Sequence, residues 1–446
     1  MNSRLLVLLP LFGIVSCALL QAHSYEDLFR QAEELSVRRD YAGAIQKYKD
    51  ALKLRPGAPE AMSNLGVMYH AVGQYAAAVE TLTEVVRTNP DVFPAQLILG
   101  LSLVRLNRAP DAVPHLKAAL QLSPGNREAR LGLAAAFVAV NELPEAARLY
   151  EEQSRSAQSD AEALYGLGIC YERMAEAASR RLSKLPGGAA LDKKFLSEYL
   201  LERGEIRLAE EALRDATAFQ KEEPSSDAKQ AYAEARLLAT KSRDAFAQLL
   251  QTAPESWQSK LFAADVNRQQ RQFQDAIANY KVVQRVQPDN PAPVVGLATV
   301  YWELGQFEKS EEYLKRALQL NPASAQALYA LANIRVRQHR EEDSIPLLKA
   351  YLAVDPDSLS ACADLGRAYF HLGRNQEAVV YLERARPIDD KGEIHYQLAT
   401  VLKRLNRKEE SDAALRQSSL LRNRQLEREL RLQSGDNQNG SASDRP

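Results

Sequence analysis

The side chains that could do chemistry in this chain are few and scattered. Six histidines, His23, His70, His115, His339, His371 and His395, are spread over its length. A helical zinc site needs two of them one turn apart with a glutamate between, so that both rings reach the metal from one face. No pair here has that spacing, and there is no CxxC ligand pair, GxxxxGK[ST] phosphate loop or GxSxG nucleophile turn. Gly166-Leu167-Gly168 has the glycines of a phosphate-binding turn but no strand ahead of it. Cys170 and Cys362 fall at apolar positions of helical stretches far apart, so they read as small buried side chains rather than a disulfide. Carboxylates are plentiful, yet no pair stands out from the charge expected of solvated helix faces. The expectation is a protein that is not an enzyme and uses no metal and no cofactor.

Composition points the same way. The 446 residues carry Lys+Arg 57 against Asp+Glu 58, a net charge of -1. That balance argues against a basic nucleic-acid footprint and against an acidic disordered chain. At 46% hydrophobic and 26% charged, the chain can bury a core. Cys 3 over such a length excludes a disulfide-stapled scaffold.

Residues 1–24 stand apart from the rest. Arg4 precedes an apolar run from Leu5, broken by Pro10 and Gly13 and shorter than a comfortable membrane span. The pattern predicts a secretory signal peptide and an exported protein, periplasmic or extracellular. Ala22-His23-Ser24 would place cleavage before Tyr25. Ile14-Val15-Ser16-Cys17 instead resembles a bacterial lipobox, in which Cys17 is lipidated and tethers the protein to the outer membrane. Ala18, Leu19 and Leu20 follow Cys17 where a polar tether is expected, which favours the first alternative.

From Tyr25 the sequence repeats every 34 residues, as Pro56, Pro90 and Pro124 and again Pro288, Pro322 and Pro356 show. Other residues fall into columns in the same register. One reads Leu65-Gly66, Leu99-Gly100, Leu133-Ala134, Leu167-Gly168, Leu297-Ala298, Leu331-Ala332 and Leu365-Gly366. Three residues further on stand Tyr69, Leu103, Phe137, Tyr171, Tyr301, Arg335 and Tyr369, one helical turn from the leucine and on its face. A column of Ala44, Ala78, Ala112, Ala146, Ala276, Ser310, Ser344 and Ala378 offers a small surface on a second helix. Gly73, Gly305 and Gly373 are helix-ending signals.

These columns resemble the tetratricopeptide repeat (TPR) family, and Pro59 to Pro90 closely follows its pattern. The resemblance implies an all-α solenoid, a right-handed superhelix of helix-turn-helix units. With the N-terminal segment it suggests a member of exported bacterial type. Four repeats form an N-terminal arm over 25–160 and five a C-terminal arm over 257–425. Residues 161–256 keep helical character but depart from the register. Leu164, Leu167-Gly168 and Tyr171 begin a normal unit, and Pro186-Gly187-Gly188 breaks the helix that follows. A helix pair comes next, with Gly204 at its turn and Ala209, Leu213 and Ala216 on its second helix. Pro224-Ser225-Ser226 breaks it again, and one long helix, Asp227 to Gln251, restores the register at Trp257. This stretch is either a change of superhelix direction, a hinge, or a set of degenerate repeats. Residues 426–446 read as a helix end and a polar tail, disordered from Ser434.

In this family the fifth, ninth and twelfth positions of each first helix line a concave groove, which the resemblance carries over column by column. In the first arm they include Val67, His70, Leu97, Leu101, Val104, Leu131, Val138, Tyr165 and Ile169, a mostly apolar face suited to a helical or extended peptide. The middle segment or a neighbouring protomer could fill it instead. In the second arm they include Arg268, Trp302, Tyr329, Asn333, Arg367, Phe370, Tyr396 and Lys403. Rings interleaved with cations there suit an acidic or extended peptide, or a sugar. Trp302 could equally pack against neighbouring helices. Phe29 and Glu33 occupy the positions of the Lys and Asn in the family's carboxylate clamp, so clamp-type chaperone binding is not expected.

The function this implies is a non-catalytic scaffold or adaptor of the cell envelope, with protein or peptide partners and no nucleic acid. Its membrane association would be limited to the lipid on Cys17. The alternatives are an accessory of surface polysaccharide or glycan handling, or a non-catalytic subunit of an enzyme complex.

Overall fold

The computed structural model describes residues 24–202, 206–218 and 223–439, and among these all regular structure is helical. The paired helices run in chain order: α1 (Tyr25–Val37) with α2 (Tyr41–Leu54), α3 (Pro59–Ala71) with α4 (Tyr75–Thr88), α5 (Phe93–Arg105) with α6 (Ala109–Leu122), and α7 (Arg127–Ala139) with α8 (Leu143–Ser156). Then come α9 (Ala161–Leu182), α10 (Gly188–Glu202), α11 (Ile206–Ala218) and α12 (Ser226–Thr252). Pairing resumes with α13 (Trp257–Gln269) and α14 (Phe273–Val286), α15 (Pro291–Glu303) and α16 (Phe307–Leu320), α17 (Ala325–Arg337) and α18 (Glu341–Val354), and α19 (Leu359–His371) and α20 (Asn375–Ala385). A 3-10 turn at Arg386–Ile388 follows, then α21 (Glu393–Arg404) and α22 (Lys408–Asn439). No helix among the described residues is long and apolar enough to cross a membrane.

Local chemistry sets the boundaries. The first helix of a unit starts on a capping side chain or on a proline in its first turn, except α21, which starts from the left-handed Gly392. Asn126, Asp160, Ser256, Ser324 and Ser358 each accept a hydrogen bond from the backbone N–H three residues on. Pro59 and Pro94 take the second route, where the missing N–H costs nothing. Nine first helices end on a left-handed residue at one shared position. These are Arg39, Gly73, Asn107, Asn141, Arg271, Gly305, His339, Gly373 and Asn406, with φ between 55° and 77°. Only three are glycine; asparagine tolerates this conformation, whereas Arg39, Arg271 and His339 hold it at a cost. The residue after each donates its N–H to the carbonyl five residues earlier, as Gln74 does to that of Tyr69 at 2.8 Å.

Packing explains the other columns. A Cβ added at Gly66 would lie 2.4 Å from Leu82 Cγ, and one at Gly100 would lie 2.5 Å from Leu116 Cγ. The glycine is therefore what lets the second helix close on the first. The small column is fully buried: Ala44, Ala78, Ala112, Ala146 and Ala276 are each 0% exposed. Where serine replaces alanine its hydroxyl needs a partner. Ser310 Oγ donates to the Ala298 carbonyl at 2.8 Å, and Ser411 Oγ to that of Ala399 at 2.7 Å.

The segment 161–256 contains one complete repeat. Helices α9 and α12 pack antiparallel along their length, with Leu182 of α9 against Ala228 and Ala231 of α12. Ser242 Oγ donates to the Gly168 carbonyl at 2.9 Å, the same bond that Ser310 and Ser411 make. A Cβ on Gly168 would meet the Phe246 ring at 2.6 Å, just as Gly66 meets Leu82. Ser242 and Phe246 thus occupy the small column and the large-residue position, and α12 is the second helix of the fifth unit. The register is interrupted by an insertion between Leu182 and Ser226. Ala175 stands where the other first helices turn left-handed, but here it is buried inside α9, which runs on. In α11, Ala209, Ala212 and Ala216 are buried while Leu213 is 50% exposed. The buried stripe follows the alanines, and one further residue rotates Leu213 out of it. Gly204 and Cys17 lie outside the described residues.

By contacts the described chain divides into two compact units. One holds the residues up to Asp192 together with Lys221–Thr252, and the other holds Lys193–Gln220 with the residues from Ala253 onward. In the second, α22 continues to Asn439, past Ser434 where sequence predicts order to end. Extending an established helix needs no new nucleus, and the Arg, Glu, Leu and Gln of this stretch are good helix formers.

Candidate binding faces

In the first compact unit the expected groove residues lie on α3, α5, α7 and α9. Val67, Leu101, Val104, Val138, Tyr165 and Ile169 are partly exposed. Leu97 and Leu131 are not available as a surface, at 5% and 3% exposure. Both sit at the fifth helical position, where first helices of successive units touch (α3 with α5, α5 with α7), and the side chain is consumed in that contact. Leu101 also reaches across, since a Cβ on Gly132 would lie 2.6 Å from its Cδ2. The Tyr165 ring meets Phe246 edge-on at 6.0 Å. The part of the face free to accept something else is thus Val67, Val104, Val138 and Ile169, with one flank of Leu101. Helix α12 packs as a second helix of its own unit, its contacts being with the Gly168 side of α9.

His70 belongs to a structural cluster. Its Nδ1 is 2.8 Å from Ser102 Oγ, its ring packs on Tyr75 at 5.2 Å, and Arg105 lies over Tyr75 at 5.2 Å. Burial, reinforced by the Arg105 charge, pushes the His70 pKa down, so the ring is neutral at ordinary pH. Burial also pushes the Cys170 thiol up to about 12, which leaves no thiolate for chemistry.

The second compact unit repeats this cluster. Trp302 packs edge-on against Phe307 at 5.1 Å, and Arg337 of the next unit lies 5.1 Å from the Trp302 ring. Phe370 is covered by Arg404 at 5.2 Å. Arg105, Arg337 and Arg404 share the thirteenth position of their first helices, directly after the groove column, and reading that column would have found them. The rings they cover act as inter-unit brackets. The cations expected to bind a ligand are likewise engaged within the chain. Arg268 donates to Glu303 Oε1 at 2.8 Å, and Arg367 to Asp364 Oδ1 at 3.1 Å. Asp364 Oδ2 accepts from the Tyr329 hydroxyl at 2.7 Å, and Asn333 bonds the same tyrosine. Tyr396 (47% exposed, with Arg422 at 5.0 Å) and Lys403 are the most open positions of this face. Arg335, standing in the aromatic column, is buried and bonds Glu311 with both terminal nitrogens at 2.7 Å. Hydrogen bonds from Arg335 hold the Glu311 carboxyl down at about 2.

A family model described as tetratricopeptide repeat matches residues 38–99, 103–169, 267–334 and 335–401, and a second with the same description matches 239–291. The chain is 30% identical over 138 residues to the protein CTR9 homolog of Arabidopsis thaliana. That match covers 29% of this chain and 12% of the length of the plant protein. Among solved structures the chain is similar to MamA, at 20% identity and a TM-score of 0.35, covering 39% of this chain and 96% of that one. It is also similar to yeast Tom70, at 17% identity and a TM-score of 0.34, covering 91% and 99%. The family match falls on the same register as the paired helices, their shared left-handed turns and the small-residue column, and the chain belongs to the tetratricopeptide repeat family.

Proposed function

We propose that this chain is a protein-binding scaffold that captures an apolar helical or extended segment on the first-helix faces of its first compact unit. The observation that carries this reading is the row of partly exposed apolar side chains Val67, Val104, Val138 and Ile169, one per successive unit, which the internal packing leaves open. A row of this kind on a preformed scaffold binds without ordering the receptor first. The test places a photo-crosslinking amino acid at Val104 in the native host and identifies the adducts by mass spectrometry. A discrete protein adduct, lost when Val138→Glu is added, supports the reading; adducts only within the chain refute it.

The place of action in this proposal is the cell envelope, and its support is the sequence of residues 1–24 alone. Fractionation, with mass spectrometry of the mature N-terminus, tests it: a start at Tyr25 or a lipidated Cys17 supports export, and retention of Met1 in the cytosol refutes it. Glycan handling has no observation in its favour, because the rings of Trp302, Tyr329 and Phe370 are engaged by neighbouring side chains.

A further inference from the structure

On the second-helix side of the last two units, away from the groove positions, an open cleft of about 690 Å³ lies between the end of α20 and α22. Its origin is local. Helix α20 has 11 residues, whereas the second helices α14, α16 and α18 have 14. Pro387 stands where the missing turn would run, and the chain leaves through the 3-10 turn at Arg386–Ile388. The floor that this exposes is apolar, formed by Leu398 and Leu402 of α21 with Ala413 and Ala414 of α22.

One polar side chain is set into that floor. His395 is 5% exposed and borders the cleft. Its Nδ1 is 2.7 Å from Oδ2 of Asp389, itself 8% exposed. The backbone N–H of His395 donates to the same oxygen at 2.8 Å. Burial works to raise the Asp389 carboxyl, but these bonds and one from the Ile394 N–H outweigh it, so the group is ionised. A carboxylate only accepts, so Nδ1 carries a proton toward Asp389, and Nε2 is the acceptor of the neutral ring. Among the described residues no hydrogen bond reaches Nε2. Polar side chains at the same helical position in other units are tied off within the chain. Gln96 donates to the Pro90 carbonyl and accepts at His115, and both terminal nitrogens of Arg130 donate, to Gln153 and the Pro124 carbonyl, leaving only its buried Nε without a partner.

Charge around the cleft selects the ligand. Glu383 pairs with Arg386 at 2.8 Å and Glu410 with Arg407 at 2.7 Å, so with the His395 ring neutral the charge of Asp389 is the one left over. An acceptor nitrogen at the base of an apolar slot, backed by the Asp389 carboxylate, suits a cation on an aliphatic stem. We infer that this cleft binds a basic side chain of a partner protein, a lysine or arginine whose stem lies on Leu398, Leu402 and Ala414. Its charged end donates to His395 Nε2 while facing Glu383 and Glu410. This site is separate from the apolar face of the first unit and stands or falls without it.

The experiment uses the full chain, with histidine ring C–H resonances followed by NMR and His395 assigned through His395→Gln. The probe is Nα-acetyl-lysine methylamide, with the corresponding glutamate amide as control. A single side chain of this size is expected to bind with a Kd on the order of 1 mM. The His395 signal should move saturably with the lysine probe and respond weakly to the glutamate probe. Glu410→Gln, at a solvated position, should weaken the response severalfold. Ala413→Trp, which fills the slot from an exposed position, should abolish it. No saturable movement of the His395 signal, an equal response to the acidic probe, or an undiminished response in Ala413→Trp would each overturn the inference.

Discussion

The contact between Tyr280 and Gly296 gives a prediction whose sign opposes the usual helix rule. Glycine inside a helix costs about 1 kcal/mol relative to alanine, so Gly296→Ala in α15 should stabilise if propensity alone decides. The structure says otherwise. A Cβ at residue 296 would lie 2.4 Å from both Cε1 and Cζ of Tyr280, whereas carbon atoms rest about 3.5–4.0 Å apart. Tyr280 is 0% exposed, and its hydroxyl donates to Asp265 Oδ1 at 2.5 Å, so the ring cannot swing aside without losing that bond. Overpacking costs about 1–3 kcal/mol and a charge-assisted hydrogen bond about 1.5–3, against the propensity gain of about 1. The net expectation is a destabilisation of about 1.5–5 kcal/mol. Tyr280→Leu should also destabilise, but by removing the ring it makes room for the methyl group. The double variant should therefore be less damaged than the sum, with a coupling of about 1 kcal/mol or more. A repeat array does not unfold in one step, so the assay is native-state hydrogen exchange of amides in α14 and α15, referenced to α3 and α5. Increased protection in Gly296→Ala, or additive effects in the double variant, would refute the packing argument.

Three further outcomes follow from the same structure. Leu99 is 1% exposed, and Leu99→Ala should lower the local opening free energy of α5 and α6 by about 2–5 kcal/mol, read by the same exchange experiment. Arg271→Gly and His339→Gly relieve left-handed residues with φ of 61° and 55° and should raise the local opening free energy in the exchange experiment, each by up to about 1 kcal/mol, while Gly305→Ala should lower it. Glu311, held at about 2 by Arg335, has a folded-state pKa below its unfolded value, so its contribution is present above about pH 4.3 and lost as pH falls toward 2. Melts of wild type and Glu311→Gln should therefore diverge at neutral pH and converge at the acid end; a constant gap would remove the ion pair from the account.

Sequence makes the repeat legible because each column answers a local steric demand that recurs. Gly66 and Gly100 must be small for Leu82 and Leu116 to close on them, and such demands appear as columns. The pairing of Tyr150 with Gly166, and of Tyr280 with Gly296, runs between neighbouring units and is visible only when two columns are read together. The groove was less legible because helical position specifies direction, not exposure. Leu97 and Val104 belong to the same predicted surface, yet in α5 the fifth position is buried where the adjoining first helices touch and the twelfth is not. For charged and aromatic groove residues, side-chain type specifies chemistry but not whether a neighbouring unit already engages it. Trp302 and Arg268 have suitable chemistry for a ligand, but Arg337 and Glu303, one unit later, already engage them. The cleft beside His395 depends on the absence of a helical turn, which no single residue type announces.

The fifth unit shows why a solenoid can absorb an interruption that would destroy most folds. Its inserted segment enters between Leu182 and Ser226, at the turn joining the first helix to the second, while α9 keeps its contacts with α7 and α8 of the preceding unit. The contact that closes α12 on α9 rests on the small and large columns, and both survive: Ser242 bonds the Gly168 carbonyl and Phe246 fills the space over Gly168. Helices α9 and α12 gain length only at the far end, where Arg181 pairs with Glu234 and Leu182 packs on Ala228 and Ala231. Because a repeat array is stabilised through nearest-neighbour faces, an insertion that leaves those faces unchanged costs little beyond its own ordering. The apolar row from Val67 to Ile169 therefore keeps its one-residue-per-unit spacing into the fifth unit, since the residues that set that spacing lie on the first helix before the insertion begins.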